Sequence, residues 1–304
     1  MADLPNEEGQ RFGFVALVGA PNVGKSTLVN ALVGAKVSIV THKVQTTRMP
    51  IRAAYVEGDA QVILVDTPGI FKPARRLDRA MVDSAWSGAG DADAILALID
   101  ASKGLTDEDR VVFAKLKAMT KPLILAINKI DRIDHSALLE LIATCNDVVS
   151  FTETLLISAL NGDGVQALRE KLAEIVPLGF WHYPEDHLSD LPGRMLAAEI
   201  TREKLFLRVH DELPYALTVE TESWSTRKDG SAKIDQVIYV ARESHRKIII
   251  GKKGQGLKAV GAAARAEIAE LLGHPVHLFL FVKVREKWVD DPNRYREIGL
   301  DFPS

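Results

Sequence analysis

The first half of the chain alternates short apolar runs with amphipathic stretches, the pattern of stacked βαβ units around a mostly parallel sheet. Phe14-Val15-Ala16-Leu17-Val18 predicts a first strand, and Gly19 opens a turn into a helix starting near Lys25. Val62–Val65, Ala94–Ile99 and Leu123–Ile127 are apolar nearly throughout, as strands covered on both faces must be. Leu155–Ile157 predicts a short last strand, and Val165–Ile175 a closing helix.

From Pro177 to Pro192 the texture turns aromatic, proline-bearing and acidic, as in an interdomain linker or a long surface loop. Beyond it the rhythm differs. A helical stretch covers about 193–213, two strands about 216–222 and 234–242, and then comes the loop Gly251-Lys252-Lys253-Gly254. A helix at about 257–272 and an alternating strand at 276–284 follow. The expected organisation is an α/β domain over 1–177, a linker over 178–192, a smaller α+β domain over 193–289 and a C-terminal tail over 290–304, with no internal repeat.

Composition narrows the class. The chain has 304 residues, enough for two domains, and no apolar run long enough to span a bilayer. Its start is acidic rather than basic and apolar, so export is not expected. Cys145 is the lone cysteine, which excludes an intramolecular disulfide or a cysteine zinc site and favours the cytosol. The eight histidines show no metal-binding spacing. A net charge of −3 hides a local excess: Arg242 to Lys258 holds six basic residues and one acid.

Gly19-Ala20-Pro21-Asn22-Val23-Gly24-Lys25-Ser26 fits G-x-x-x-x-G-K-[ST] between a predicted strand and a predicted helix. Glycines let the backbone wrap closely, so that N–H groups point at phosphate oxygens. Lys25 would reach the β- and γ-phosphates, and the Ser26 hydroxyl would bind Mg²⁺, with Thr27 next in the helix. Asp66-Thr67-Pro68-Gly69 ends a buried strand, where a carboxylate can meet Mg²⁺ through water and a glycine N–H can sense the γ-phosphate. Asn128-Lys129-Ile130-Asp131 selects the base. Asp131 accepts only, so it suits the N1–H and 2-amino group of guanine and would face a lone pair on adenine. Lys129 would lie over the base and Asn128 would tie the loop, while Ser158-Ala159-Leu160 can bring the Ala159 N–H to the guanine O6. An ATP-dependent kinase or ATPase could share the phosphate loop but not this base-reading segment. A plain RNA-binding module would have no use for Lys25, Ser26, Asp66 and Asp131 together.

These four segments in this order resemble the translation-factor-type P-loop GTPases. The resemblance implies Mg²⁺-dependent GTP hydrolysis, with Lys25, Thr47 and Gly69 in the catalytic set and Ser26, Thr47 and Asp66 around the metal. Thr47 is taken from Gln45-Thr46-Thr47-Arg48, with Thr46 the other candidate. Residues 37–50 and 70–90 would be the two switch segments. Many members have glutamine after D-x-x-G, but here the residue is Ile70, which cannot hold a water. Intrinsic hydrolysis should therefore be slow. Asn22 resembles an asparagine that, in some members, coordinates a K⁺ ion.

G-x-x-G with two lysines, placed before a helix, resembles the loop of a type II KH domain, which clamps about four nucleotides of single-stranded RNA. Gly251, Lys252, Lys253 and Gly254 would hold the backbone, aided by Lys247 and Lys258. Ile248, Ile249, Ile250 and Leu257 would line the base groove or pack the core. A P-loop domain followed by a KH domain, with Q-T-T-R and D-T-P-G-I, resembles the bacterial ribosome-assembly GTPases over residues 10–300. That resemblance implies GTP and GDP, the 3′ end of 16S rRNA and the 30S subunit as partners, with a role in subunit assembly and rRNA maturation. It implies a cytoplasmic location with loose association at the inner membrane, which no basic amphipathic helix supports independently.

Overall fold

The computed structural model describes residues 9–43, 46–73, 75–210, 213–286, 292, 295 and 300–302. Gln45 and most of the expected tail lie outside the described residues. Two compact units divide the chain, one of Met1–Ser38, Thr47–Asp190 and Ile298–Ser304, the other of Ile39–Thr46 and Leu191–Glu297.

In the first unit β1 (Arg11–Val18), β3 (Ala60–Asp66), β4 (Ala94–Asp100), β5 (Leu123–Asn128) and β6 (Glu153–Ile157) run parallel. β2 (Ile51–Glu57), which the apolar pattern does not pick out, pairs antiparallel with β3 at the edge, giving the order β2-β3-β1-β4-β5-β6. The sheet is mostly parallel, as expected. Successive strand residues point to opposite faces, and both faces are covered. Val15, Leu17, Leu96 and Leu98 pack with α1 (Lys25–Val33) and α5 (Val165–Ile175) through Leu28, Leu32, Leu168 and Leu172. Ala16, Val18, Ile95 and Ala97 pack on the other side with α2 (Arg76–Asp91), α3 (Asp107–Leu116) and α4 (His135–Val148). That double burial is why the strands read as continuous apolar runs.

The stretch expected to be a linker is largely part of this unit. Gln61 Oε1 accepts the His182 and Tyr183 N–H groups at 3.1 Å, and Trp181 Nε1 donates to the Asp59 carbonyl at 3.1 Å. The Ala54 and Asp190 N–H groups bond across to Leu188 and Arg52 carbonyls. Leu188 and Asp190 pair with edge strand β2, and the aromatic residues bond the β3 end beside it, so the chain leaves this unit only after Asp190.

The second unit contains α6 (Gly193–Phe206), β7 (Leu217–Thr226), β8 (Ala232–Val240), α7 (Glu243–Ile250), α8 (Gln255–Leu272) and β9 (Val276–Val284). β7 and β8 are antiparallel, and β8 and β9 parallel. α6 ends seven residues short of the helical stretch read from sequence, and α7 replaces what had been read as approach to a loop. Ala198, Phe206, Ile238, Val240, Ile249 and Val260 form its larger core. Tyr295 is buried in this unit and Leu300 in the first, so the expected tail is anchored at both residues.

Candidate functional site

The turn after β1 places the phosphate loop at the carboxyl ends of the parallel strands, where open α/β sheets hold their ligands. Gly24, at φ 104°, caps α1, and a Cβ there would stand 2.3 Å from Asn128 Nδ2. Ala20 and Val23 are buried, Pro21 and Thr27 are half-buried, and Asn22 is exposed. Lys25 is 7% exposed and folds onto its own loop, donating to the Gly19 and Ala20 carbonyls at 3.0 Å each. Burial lowers its ammonium to about 8, against the pull of the Asp66 carboxylate. A lysine already desolvated beside backbone donors is poised for a phosphate anion.

Asp66, fully buried at the end of β3, gathers the rest of this end of the site. Its Oδ2 accepts from Ser38 Oγ at 2.8 Å, Ser26 Oγ at 3.0 Å and Thr47 Oγ1 at 3.2 Å. Ser26 and Thr47 are themselves 2.9 Å apart. Burial pushes the Asp66 carboxyl up, while Lys25 and the three hydroxyls pull it back. Its Oδ1 has no hydrogen-bond partner among the described residues. Hard divalent cations take oxygen ligands, so a buried carboxylate with a spare oxygen and two neighbouring hydroxyls fits Mg²⁺. Thr46, the other candidate threonine, instead bonds Thr41 and the Lys43 carbonyl. Gly69 passes close to the loop, a Cβ there meeting Pro21 Cα at 3.1 Å, and the next N–H, of Ile70, donates to the Gly19 carbonyl at 3.0 Å. The Ile70 side chain is buried in the core.

Asn128, 2% exposed, is the fastening of the base end. It donates to the Val23 carbonyl at 2.8 Å and accepts from the Ala159 N–H at 3.0 Å, joining phosphate loop, β5 and the segment after β6. Ser158 Oγ donates to Asp131 Oδ1 at 2.6 Å, holding the carboxylate expected to read the base. Lys129 bonds Asp100 at 2.6 Å and the Asn22 carbonyl at 2.7 Å, which lays its stem along the mouth of the site. Leu160 turns its side chain to solvent at 74% exposure, leaving only its backbone to the site.

In the second unit the G-x-x-G loop joins α7 to α8. Gly251 and Gly254 are at φ 68° and 76°, and Lys247, Lys252, Lys253 and Lys258 are all exposed. Ile249 is buried and Leu257 packs against the same core, whereas Ile248 is 61% exposed beside the loop. The two readings for these residues thus divide among them.

Several contributors escaped the sequence. Asp100 ends β4 and orients Lys129. Burial pushes its carboxyl up, but bonds from Lys129 and Ser102 and the Lys129 charge outweigh this and leave it below the usual range. Ser38 is brought to Asp66 by Asn30, which bonds the backbone of Val37 and Ser38. Gly256 lets α8 approach α7, since a Cβ there would be 2.7 Å from the Ile249 carbonyl. Among the described residues, left-handed backbone outside glycine occurs at Asn22, Lys129 and Lys253, all in the candidate site loops. Such strain persists only where its surroundings impose it, and it gathers at ligand sites.

Comparison with known proteins agrees with this division. Residues 14–129 match the family described as 50S ribosome-binding GTPase, and residues 212–289 match the KH domain. GTPase Era of Brucella suis biovar 1 is 62% identical over 294 residues, covering 97% of this chain and 94% of that protein. GTPase Era of Rhizobium meliloti is 61% identical over the same shares. Among solved structures, a single-residue variant of Aquifex aeolicus Era bound to GDP·AlF4⁻ superposes with a TM-score of 0.91 at 40% identity, covering 95% of this chain and 99% of that one. Era in complex with MgGDPNP and nucleotides 1506–1542 of 16S ribosomal RNA gives the same figures.

Proposed function

The chain belongs to the GTPase Era family, and on that premise we propose that it is a GTP-driven switch that binds single-stranded RNA at the 3′ end of 16S rRNA and assists assembly of the 30S subunit. One observation carries the switch reading: Thr47, from the segment between α1 and β2, meets Ser26 on a single oxygen of buried Asp66. That arrangement couples a long connection to the phosphate end of the site. Lys25 exchanges its two loop carbonyls for phosphate oxygens, and backbone N–H groups from Asn22 to Ser26 complete the cradle. Ser26, Thr47 and Asp66 would hold Mg²⁺, which would supply neutralisation of the phosphate charge. The Gly69 N–H senses the γ-phosphate. Asp131, fixed by Ser158, takes the N1–H and 2-amino group of guanine, and Ala159 N–H its O6.

With Ile70 packed into the core, no side chain at that position orients the attacking water, so turnover without a partner is slow. Asn22 is the candidate for a K⁺ ligand; a faster rate in K⁺ than in Na⁺ supports it, and equal rates exclude it. The exposed Lys252 and Lys253, with Gly254 open to a sugar-phosphate backbone, hold the RNA. Among the described residues no helix is long and apolar enough to cross a membrane. Peripheral association with the inner membrane is tested by flotation with anionic vesicles.

The deciding experiment measures GTP hydrolysis in K⁺ and Mg²⁺ buffer with and without a short RNA matching the 16S 3′ end. Stimulation that disappears in Lys252→Ala/Lys253→Ala supports an RNA-coupled switch. Turnover indifferent to an RNA that also fails to bind leaves the GTPase and removes the ribosomal role.

A further inference from the structure

Three hydroxyls converge on one oxygen of Asp66, and they stand on different supports. Ser26 lies in the first turn of α1, while Ser38 and Thr47 flank the segment 39–46 that groups with the second unit. Ser26 and Thr47 have their use in the Mg²⁺ reading above. Ser38 belongs to no phosphate, metal or base motif. It is nonetheless fully buried and makes the shortest of the three contacts, 2.8 Å against 3.0 and 3.2 Å.

Ser38 is fixed to the body of the domain before it reaches Asp66. α1 stops at Gly34, whose φ of 76° turns the chain back along the helix. Asn30, in the last turn of α1, closes on the returning chain with both ends of its amide. Its Nδ2 donates to the Ser38 carbonyl at 2.8 Å, and its Oδ1 accepts the Val37 and Ser38 N–H groups at 2.9 Å each. Val37 is buried in the core that covers α1. None of these bonds involves a group that a nucleotide would take up. Thr47 is held differently. In switches of this kind the segment bearing such a residue is ordered by the γ-phosphate and released on hydrolysis. Once Thr47 has left, Asp66 keeps only Ser26 and Ser38, and its Oδ1 already has no hydrogen-bond partner among the described residues. A buried carboxylate in that position cannot shed another donor without cost.

We infer that Ser38 is a positioning residue for the metal, clamped by Asn30 so that Asp66 keeps its aim after Thr47 lets go. This rests on the reading of Ser26, Thr47 and Asp66 as the residues that hold Mg²⁺. Carboxylates beside a metal depend on such partners for their orientation, and losing one lowers metal affinity by about 10- to 100-fold. The consequence falls on the product state: Mg²⁺ stays with GDP after hydrolysis because Ser38 stays with Asp66. A hydroxyl that only satisfied its own burial would leave metal binding indifferent to its removal.

The test follows release of N-methylanthraniloyl-GDP, and of the matching non-hydrolysable GTP analogue, from the full chain by fluorescence. Rates are taken across a Mg²⁺ series and in EDTA. In the wild type Mg²⁺ should slow release of both nucleotides. Ser38→Ala should raise the Mg²⁺ concentration giving half of that slowing about tenfold with GDP, and by less with the GTP analogue, while its release rate in EDTA stays near that of the wild type. Asn30→Ala keeps the hydroxyl but frees its backbone, and should move the GDP midpoint in the same direction by less. Thr47→Ala should show the opposite order, with its larger shift on the GTP analogue. An unchanged midpoint in Ser38→Ala overturns the proposal, as does a midpoint shift at least as large with the GTP analogue as with GDP. Faster release that is equal with Mg²⁺ and in EDTA also overturns it, because that marks a disturbed loop rather than a lost hold on the metal. If Mg²⁺ leaves wild-type release of both nucleotides unchanged, it is the metal reading itself that falls.

Discussion

Gly19–Ser26 and Gly251–Gly254 both set glycines and lysines ahead of a helix, yet they are built for different phosphates. In the first, Lys25 is buried, and added carbon has no room: a Cβ on Gly24 meets Asn128 at 2.3 Å and one on Gly19 meets the Leu98 carbonyl at 2.5 Å. In the second, both lysines are exposed; a Cβ on Gly251 would meet the Gly256 backbone nitrogen at 3.0 Å, but one on Gly254 meets nothing within 4 Å. A small ligand of fixed shape is held by a walled site whose donors are pinned in advance. A polymer is held by charge on an open turn, where each contact is tolerant and screened by salt. Substitutions in the two loops should therefore differ in kind as well as size.

The largest effect is expected at the walled loop. Gly24→Ala should reduce GTP affinity at least about 100-fold by calorimetry, since it combines a clash with a left-handed backbone; retained affinity would show that the Asn128 fastening is dispensable. Next comes the base end, where Asp131→Ala should lower the preference for GTP over ATP by about 100-fold in competition assays, while phosphate contacts persist. An unchanged preference would move base recognition elsewhere. At the open loop, Lys252→Ala/Lys253→Ala should weaken RNA binding about tenfold near 0.1 M salt and flatten its salt slope by nearly 2. A loss independent of salt would mean that shape, not charge, dominates there as well. A last effect, on reactivity rather than on binding, concerns neither loop. Cys145 is buried in the α4 core, and burial pushes its thiol up to about 11. Alkylation at pH 8 should then run on the order of 100-fold slower than for free cysteine until the domain unfolds, as mass spectrometry can follow.

The same contrast explains what the sequence discloses. Phosphate and base segments are read locally, because each is a short run at the end of an apolar strand. Their partners come from far along the chain: Asp100 reaches Lys129, Ser38 is placed by Asn30, and Asn128 spans from Val23 to Ala159. No spacing rule announces such pairs. β2 was missed because its sequence, Ile51-Arg52-Ala53-Ala54-Tyr55-Val56-Glu57, alternates poorly, its placement being set by pairing with β3. α7 was missed because eight residues do not make a helix alone and the consecutive Ile248-Ile249-Ile250 shows no helical period; packing of Ile249 stabilises it. The stretch after Pro177 looked like a linker because aromatic and proline residues flank a sheet edge as readily as they join domains.

The strand order β2-β3-β1-β4-β5-β6 also has a consequence in time. A chain leaves the ribosome N-terminal end first, and a domain generally folds as a unit. Lys25, Ser26 and Asp66 emerge with α1 and β3, in the first part of the unit to be made. Asn128 and Ala159 arrive later, with β5 and the segment beyond β6. The unit can close on a nucleotide only when the segment beyond β6 has been made, so the residues that tell one base from another are the ones that complete it.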